Sequence, residues 1–261
     1  MKILILGSRG MLGSVMAMYL SRHHDVSGFT REDFDPVVDS IEIISGCDVV
    51  INCIGVIKPT IDKYSVEDVI KINSIFPKNL ANFCESNNVR CFHVTTDCVY
   101  SGSIGNYNER SVIDAEDLYG LSKAAGEPLN AMVLRTSIIG EEQGTQRSLL
   151  EWVKAHRDQT INGYTNHFWN GVTTLMFADI VGQILRRDLY SHGIFHIHSR
   201  ETVNKYELVS MIAAVYNLNI VVQPVEAPKA CNRTLTNVTR LNDMLNILPM
   251  EEQLIQLIVD L

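Results

Sequence analysis

The sequence predicts an α/β fold: a doubly wound parallel sheet with a smaller C-terminal lobe attached. Three observations predict it. Short apolar runs alternate with longer helical patterns over residues 2–139, and strands that alternate with helices build parallel sheets. The run CDVVINCIG (47–55) is almost continuously apolar, as a strand buried on both faces should be. The chain has 261 residues, 46% of them hydrophobic and 20% charged, which suits one large domain or a domain with an added lobe.

The elements follow in order. KILILG (2–7) reads as a strand, GMLGSVMAMYLSRH (10–23) as a helix by its apolar spacing, and DVSGF (25–29) as a second strand. Residues 47–55 are the third strand. SVEDVIKINSIFPKNLANFCESNN (65–88) reads as one helix; Ser65 with Asp68 resembles a capping box, and Pro77 predicts a kink. RCFHVTT (90–96) is a strand, 118–130 a helix and MVLRTSII (132–139) another strand. Beyond residue 140 the pattern is less regular. Helices are expected over 148–157, 174–187 and 205–217, and a strand over 193–199. INGYTNHFWNGVTT (161–174), rich in Asn, Gly, Thr and aromatics, reads as a ligand-facing loop.

The formal net charge of −8 argues against a nucleic-acid or anionic-membrane surface, while leaving room for a local basic pocket. The six cysteines form no C-x-x-C pair and sit mostly in apolar runs. They are expected to be buried free thiols, with no metal site, in a reducing compartment. The opening MKILILG is too short an apolar run for a signal peptide, and no stretch reaches membrane-spanning length. The expectation is a soluble cytoplasmic protein.

GSRGMLG places Gly7, Gly10 and Gly13 directly after the first strand, opening the first helix. Glycines there permit a tight turn and let backbone N–H groups approach a pyrophosphate at the helix N-terminus. Ser8, Arg9, Met11 and Leu12 complete the loop. This is the pattern of a Rossmann-type dinucleotide site. It assigns 1–140 to a dinucleotide-binding domain to which 172–200 returns, and 141–171 with 201–261 to a substrate-binding lobe. The second strand ends in Thr30 and Arg31, where a carboxylate would hold the adenosine 2′-hydroxyl of NAD. Together with Arg9, Arg31 suits a 2′-phosphate and favours NADPH. Asp33 and Asp35 keep NADH as the alternative, and a solvated loop arginine is the plain reading of Arg31.

Tyr119 and Lys123 stand four residues apart on one helix face. A free phenol, with a pKa of about 10, is a poor acid–base group at neutral pH. A nearby ammonium favours the phenolate and is expected to lower that value. The tuned phenol can exchange a proton with a carbinol or carbonyl oxygen while a nicotinamide exchanges hydride with the adjacent carbon. The strand 90–96 ends in Thr95 and Thr96, followed by Asp97, and ligands in open parallel sheets bind at the carboxyl ends of strands. A solvated Tyr–Lys pair and a strand-capping threonine are the plainer readings of each part alone.

GSRGMLG, VINCIG, KINSIFPKNLANFC, HVTTDCVYSG, YNERSVIDAEDLYGLSKAAGE, LRTSIIG and GVTTLMFADIV together resemble the extended short-chain dehydrogenase/reductases. Within them the resemblance is to the dTDP-4-dehydrorhamnose reductase family. It implies NADPH-dependent reduction of a nucleotide-linked 4-keto-6-deoxyhexose, with hydride passing to C4 and Tyr119 as proton donor. It implies that Lys123 tunes the phenol and holds the nicotinamide ribose, that Thr96 is the hydroxyl partner, and that Cys53, Ile54, Gly55 and Thr95 line the cofactor. Asn73 matches a structural asparagine. Asp97 and Cys98 would border the sugar, Arg233 would meet the nucleotide diphosphate, and Trp169 or Phe168 would stack on the base. The partner implied is a nucleotide-sugar substrate, with a homodimer in view. Two departures stand out: Ile138 replaces a bulky aromatic after LRTS, and CNRTLTN only loosely echoes a distal arginine–proline signature. The resemblance leaves three rivals: a sugar-nucleotide epimerase or dehydratase holding NAD, a nucleotide-binding regulatory subunit without chemistry, and a carbonyl reductase of small ketones. Cys98 after Thr96-Asp97, where a dehydratase carries Asp-Glu, counts against dehydration.

Overall fold

The computed structural model describes residues 1–142 and 148–260. The elements are β1 (Lys2–Leu6), α1 (Met11–Leu20), β2 (Asp25–Phe29), β3 (Val49–Asn52), α2 (Val66–Ile70), α3 (Phe76–Ser86), β4 (Arg90–Thr96), α4 (Leu118–Ala125) and β5 (Met132–Thr136). They continue with β6 (Ile138–Ile139), α5 (Leu149–Ala155), β7 (Thr160–Tyr164), β8 (His167–Trp169), β9 (Val172–Thr173), α6 (Thr174–Arg186), β10 (Gly193–His196) and β11 (Val203–Asn204). The chain closes with α7 (Lys205–Val215), β12 (Val221–Val225), β13 (Cys231–Asn232), α8 (Leu241–Met244) and α9 (Met250–Asp260).

Six strands form the central sheet in the order β10-β5-β4-β3-β1-β2, every pairing parallel. The order reverses at β1, which lies between β2 and β3. That reversal opens a crevice at the carboxyl ends of the strands. The β1 side chains alternate between faces, as the strand period requires. Ile3 and Ile5 pack with Leu12, Val15 and Met16 of α1 and Phe177 of α6. Leu4 and Leu6 pack with Phe76, Leu80 and Cys84 of α3 on the other face. Both layers are therefore made by one apolar strand, so the doubly wound fold follows from its sequence. Smaller sheets, β11-β8-β13 and β12-β7, form from strands in the C-terminal half of the chain.

Four expectations need correction. Residues 65–88 form α2, a π-helical turn over Lys71–Ile75 and then α3, with Pro77 in the first turn of α3. Proline lacks an N–H and is tolerated there, so the irregularity is a π turn rather than a proline kink. Ser65 does cap α2: its Oγ accepts from Asp68 N at 3.0 Å and donates to the Asp68 carboxylate at 2.8 Å. Residues 132–139 divide at Ser137 into β5 and β6, because β6 leaves the sheet to pair with β9. The expected loop 161–174 consists largely of β7, β8 and β9; pairing with β12, β11, β13 and β6 overrides its turn-like composition. All six cysteines are free, but only Cys84 and Cys91 are buried, while Cys47, Cys53, Cys98 and Cys231 are half-buried.

Candidate functional site

The glycine loop begins at Gly7, whose φ of +79° is the left-handed conformation that glycine tolerates. The Gly7 and Ser8 N–H groups donate to the Phe29 carbonyl at 2.9 and 3.0 Å, which ties the loop to the end of β2. Gly10 starts α1 with no side-chain cap. A Cβ on Gly13 would collide with the Gly7 carbonyl, so only glycine lets the helix settle this close to the loop. The Ser8 side chain turns away toward Gly28. Arg9, Gly10, Met11, Leu12 and Gly13 border a cavity of about 550 Å³, whose other walls are Cys53 to Pro59, Val94 to Cys98, Tyr119, Lys123, Thr136 to Ile138 and Glu142.

Tyr119, Lys123 and Thr96 meet in this cavity. Asp117 caps α4 by accepting from Gly120 N at 2.8 Å, and this starts the helix so that residues 119 and 123 face the end of β4. Gly120 is required by packing: a Cβ there would strike the Cys98 carbonyl and lie 2.6 Å from Ala115 Cβ. The Tyr119 phenol and Thr96 border the same cavity, and the threonine hydroxyl is close enough to act on the phenol's charge. The Thr96 hydroxyl accepts from Cys98 N at 3.1 Å and donates to Asp97 Oδ1 at 3.2 Å. Lys123 Nζ donates to the Val94 carbonyl at 3.1 Å.

Charge in the site is governed by burial. Desolvation raises the Tyr119 phenol above its usual value, and the neighbouring Cys98 and Asp97 add to that. The expected lowering by Lys123 is therefore not what the chain alone produces. Lys123 is itself pulled down to about 8 by burial, against the opposing influence of Glu127 and Cys53. Burial also raises Asp97, opposed by Arg233 and Lys205, and pushes Cys98 up to about 12.

Asn73 links the cavity wall to α4. Its Oδ1 accepts from Val56 N at 2.8 Å, and its Nδ2 donates to the Val56 carbonyl at 3.0 Å and to Ser122 Oγ at 3.1 Å. The π turn is the segment that carries Asn73.

A second cavity, of about 270 Å³, adjoins the first and shares Arg9, Gly10 and Cys53 to Val56 with it. Thr30, Arg31, Phe34, Asp35 and Tyr64 form its far side. Asp33 accepts from both Thr30 N and Thr30 Oγ1 at 2.8 Å. That carboxylate serves the turn after β2, and those bonds hold it below the usual carboxylate range. Arg9 pairs with Glu32 at 3.1 Å on the surface.

Three residues suggested for the substrate side stand apart from the main cavity. Trp169 is buried in β8, with Lys205 Nζ 5.3 Å from its ring centroid. Phe168 beside it is exposed. Arg233 is anchored by donating to the Tyr100 and Ser101 carbonyls at 2.8 and 3.2 Å, and its charge acts on Asp97 and Cys98. Sequence reasoning missed Lys58, Ser137 and Glu142 in the cavity wall, along with Lys205 and Tyr64. Asp117, the cap of α4, also holds Lys58 Nζ at 2.5 Å.

The residues present fit a dinucleotide. The Thr95 hydroxyl is buried at the cavity wall with no hydrogen-bond partner, an atom that a ligand would satisfy. A Cβ on Gly55 would lie 3.4 Å from Lys123 Nζ, so the glycine keeps that approach open. The uncapped start of α1 offers N–H groups to an anion.

Fold and crevice together define a Rossmann-type α/β protein with its candidate site at the carboxyl ends of a parallel sheet. More narrowly, the chain belongs to the family described as RmlD substrate binding domain, whose model matches residues 1–246. It is 25% identical over 236 residues to a dTDP-4-dehydrorhamnose reductase of Aggregatibacter actinomycetemcomitans, covering 81% of this chain and 78% of that protein. It is 28% identical over 189 residues to methionine adenosyltransferase 2 subunit beta of Danio rerio. That match covers 65% of this chain and only 56% of the relative. Among solved structures, dTDP-4-dehydrorhamnose reductase of Bacillus anthracis in complex with NADP superimposes with a TM-score of 0.83 at 19% identity, covering 100% of this chain and 99% of that one.

Proposed function

We propose that the chain reduces a nucleotide-linked 4-keto-6-deoxyhexose with NADPH. The observation that carries this reading is the convergence of Thr96, Tyr119 and Lys123 in one cavity with the glycine loop. The names of the relatives, reductases of dTDP-linked keto sugars among them, support this substrate class.

The N–H groups at Gly10 to Gly13 would hold the pyrophosphate, Arg9 and Arg31 the adenosine 2′-phosphate, Cys53 to Gly55 the dinucleotide's flank, and Lys123 the nicotinamide ribose. When bound, the reduced nicotinamide supplies the hydride for the ketone carbon. The Tyr119 phenol, kept protonated by burial, gives its proton to the ketone oxygen. Thr96 Oγ1, which accepts from Cys98 N, would turn its one hydrogen from Asp97 to that same oxygen and so position it. The Val94 carbonyl takes one of the three Lys123 hydrogens, and the ammonium stabilises the phenolate that remains. Asp97 and Cys98 would border the sugar, and Arg233, whose charge acts on both, would attract the diphosphate from outside the main cavity. Residues 141–171 and 201–261, of which 143–147 and 261 lie outside the described residues, would act as the substrate lobe beside a central domain completed by 172–200.

The test is a panel of dTDP-, UDP- and GDP-linked 4-keto sugars, followed by loss of NADPH absorbance. Turnover of one nucleotide-linked ketone is expected. Consumption of small ketones alone, or none of the panel, would overturn the reading. A second reading is favoured by the similarity to an adenosyltransferase beta subunit: a partner-binding subunit that holds the dinucleotide without turning it over. Stoichiometric capture of an adenosyltransferase with no reductase activity would decide for it.

A further inference from the structure

The second cavity contains a contact that the proposed reaction does not use. Arg31 is an exposed loop arginine, with its side chain 67% accessible, yet it is held from two sides. Its Nη1 donates to the Tyr64 hydroxyl at 3.0 Å. Its Nε donates to Asp35 Oδ2 at 3.4 Å. The guanidinium carbon lies 5.7 Å from the Tyr64 ring centroid. Asp35 is fixed in turn, because its Oδ1 accepts from Val37 N at 2.9 Å.

Tyr64 is a firm post. It ends the 3₁₀ turn Lys58–Lys63, its N–H donating to the Ile61 carbonyl at 3.1 Å. Its ring packs on the apolar cluster of Val56, Val69 and Ile72. The cavity that the pair borders is shared with the glycine loop through Gly7, Arg9 and Gly10. An anion carried by a ligand in this cavity would meet a guanidinium already in place.

We infer that Tyr64 is a specificity-determining residue: its phenol positions Arg31 to select an adenosine that carries a 2′-phosphate over one that does not. This rests on the dinucleotide reading of the site and deepens it. A free arginine gives up much of its rotamer freedom on binding a phosphate; one held beforehand gives up less, and affinity rises by the difference. Asp35 works against the same phosphate by charge, which makes the neutral phenol the half of the clamp that helps. The effect is confined to the phosphate, because an adenosine without it has no partner for Arg31.

The experiment is calorimetric binding of 2′,5′-ADP and 5′-AMP to the full chain and to Tyr64→Phe, Tyr64→Ala and Arg31→Ala. Phenylalanine keeps the ring in its apolar cluster and removes only the hydroxyl. Tyr64→Phe is expected to weaken 2′,5′-ADP by about three- to tenfold and 5′-AMP by less than about twofold, the range that one immobilised side chain is worth. Arg31→Ala is expected to cut the preference between the two ligands by more than Tyr64→Phe does, Arg9 keeping the remainder. Equal weakening of both ligands in Tyr64→Phe, with a larger equal loss in Tyr64→Ala, would make Tyr64 a wall of the adenine pocket and overturn the inference. No change in Tyr64→Phe beside a reduced preference in Arg31→Ala would overturn the inference and leave the cofactor reading standing. An unchanged preference in Arg31→Ala would remove the 2′-phosphate assignment and this inference with it.

Discussion

Lys123 gives its ammonium to the Val94 carbonyl oxygen, 3.1 Å away, from a side chain that is only 5% exposed. That burial lowers it from 10.5 to about 8. The folded chain therefore carries an electrostatic penalty that is fully present below about pH 8 and is relieved as the pH rises toward 10.5. In that window the unfolded chain binds the more protons, so this group makes stability rise with pH. Urea unfolding of the cofactor-free protein and of Lys123→Met, at about pH 7 and about pH 10, isolates the contribution. Wild type should gain on the variant between the two. A constant difference would mean that Lys123 titrates normally.

Asn73 is fully buried and satisfies both ends of its amide on Val56 while reaching Ser122. Asn73→Ala would leave the Val56 N–H and carbonyl unpaired inside the protein. A loss of about 2–4 kcal/mol is expected, since each stranded group forfeits its desolvation. Denaturant titration measures it. A change below about 1 kcal/mol would show that water replaces the side chain.

Gly120→Ala sets propensity against packing. Alanine favours a helix interior by about 1 kcal/mol over glycine. At this position its Cβ would strike the Cys98 carbonyl and Ala115, pushing α4 from β4 and Tyr119 from Thr96. The variant should be less stable, not more, and should lose turnover more than cofactor affinity. A higher melting temperature would show that the contact is slack.

The central sheet was legible because β1 and β3 are almost continuous apolar runs and α1 follows a glycine loop. The Thr96–Tyr119–Lys123 grouping was legible because strand ends and helix faces have fixed spacings. The C-terminal half was less legible. Its strands β7, β8 and β9 are short and carry Asn, Gly and His, and they become strands only through distant partners such as β12 and β13. The π turn was hidden because Pro77, the conspicuous residue, sits harmlessly in the first turn of α3. The direction of the Tyr119 shift was hidden too. Spacing places Lys123 near the phenol but says nothing of how deeply both are buried.

The central claim is that Tyr119 is the proton donor of a reductase. The most direct measurement pairs steady-state NADPH oxidation on the accepted 4-keto sugar with NADPH affinity, for wild type and Tyr119→Phe. The account predicts a fall in kcat of about 10²–10⁴-fold, the range of general acid catalysis, with NADPH affinity changed by less than about threefold. Turnover by Tyr119→Phe at the wild-type rate would contradict it.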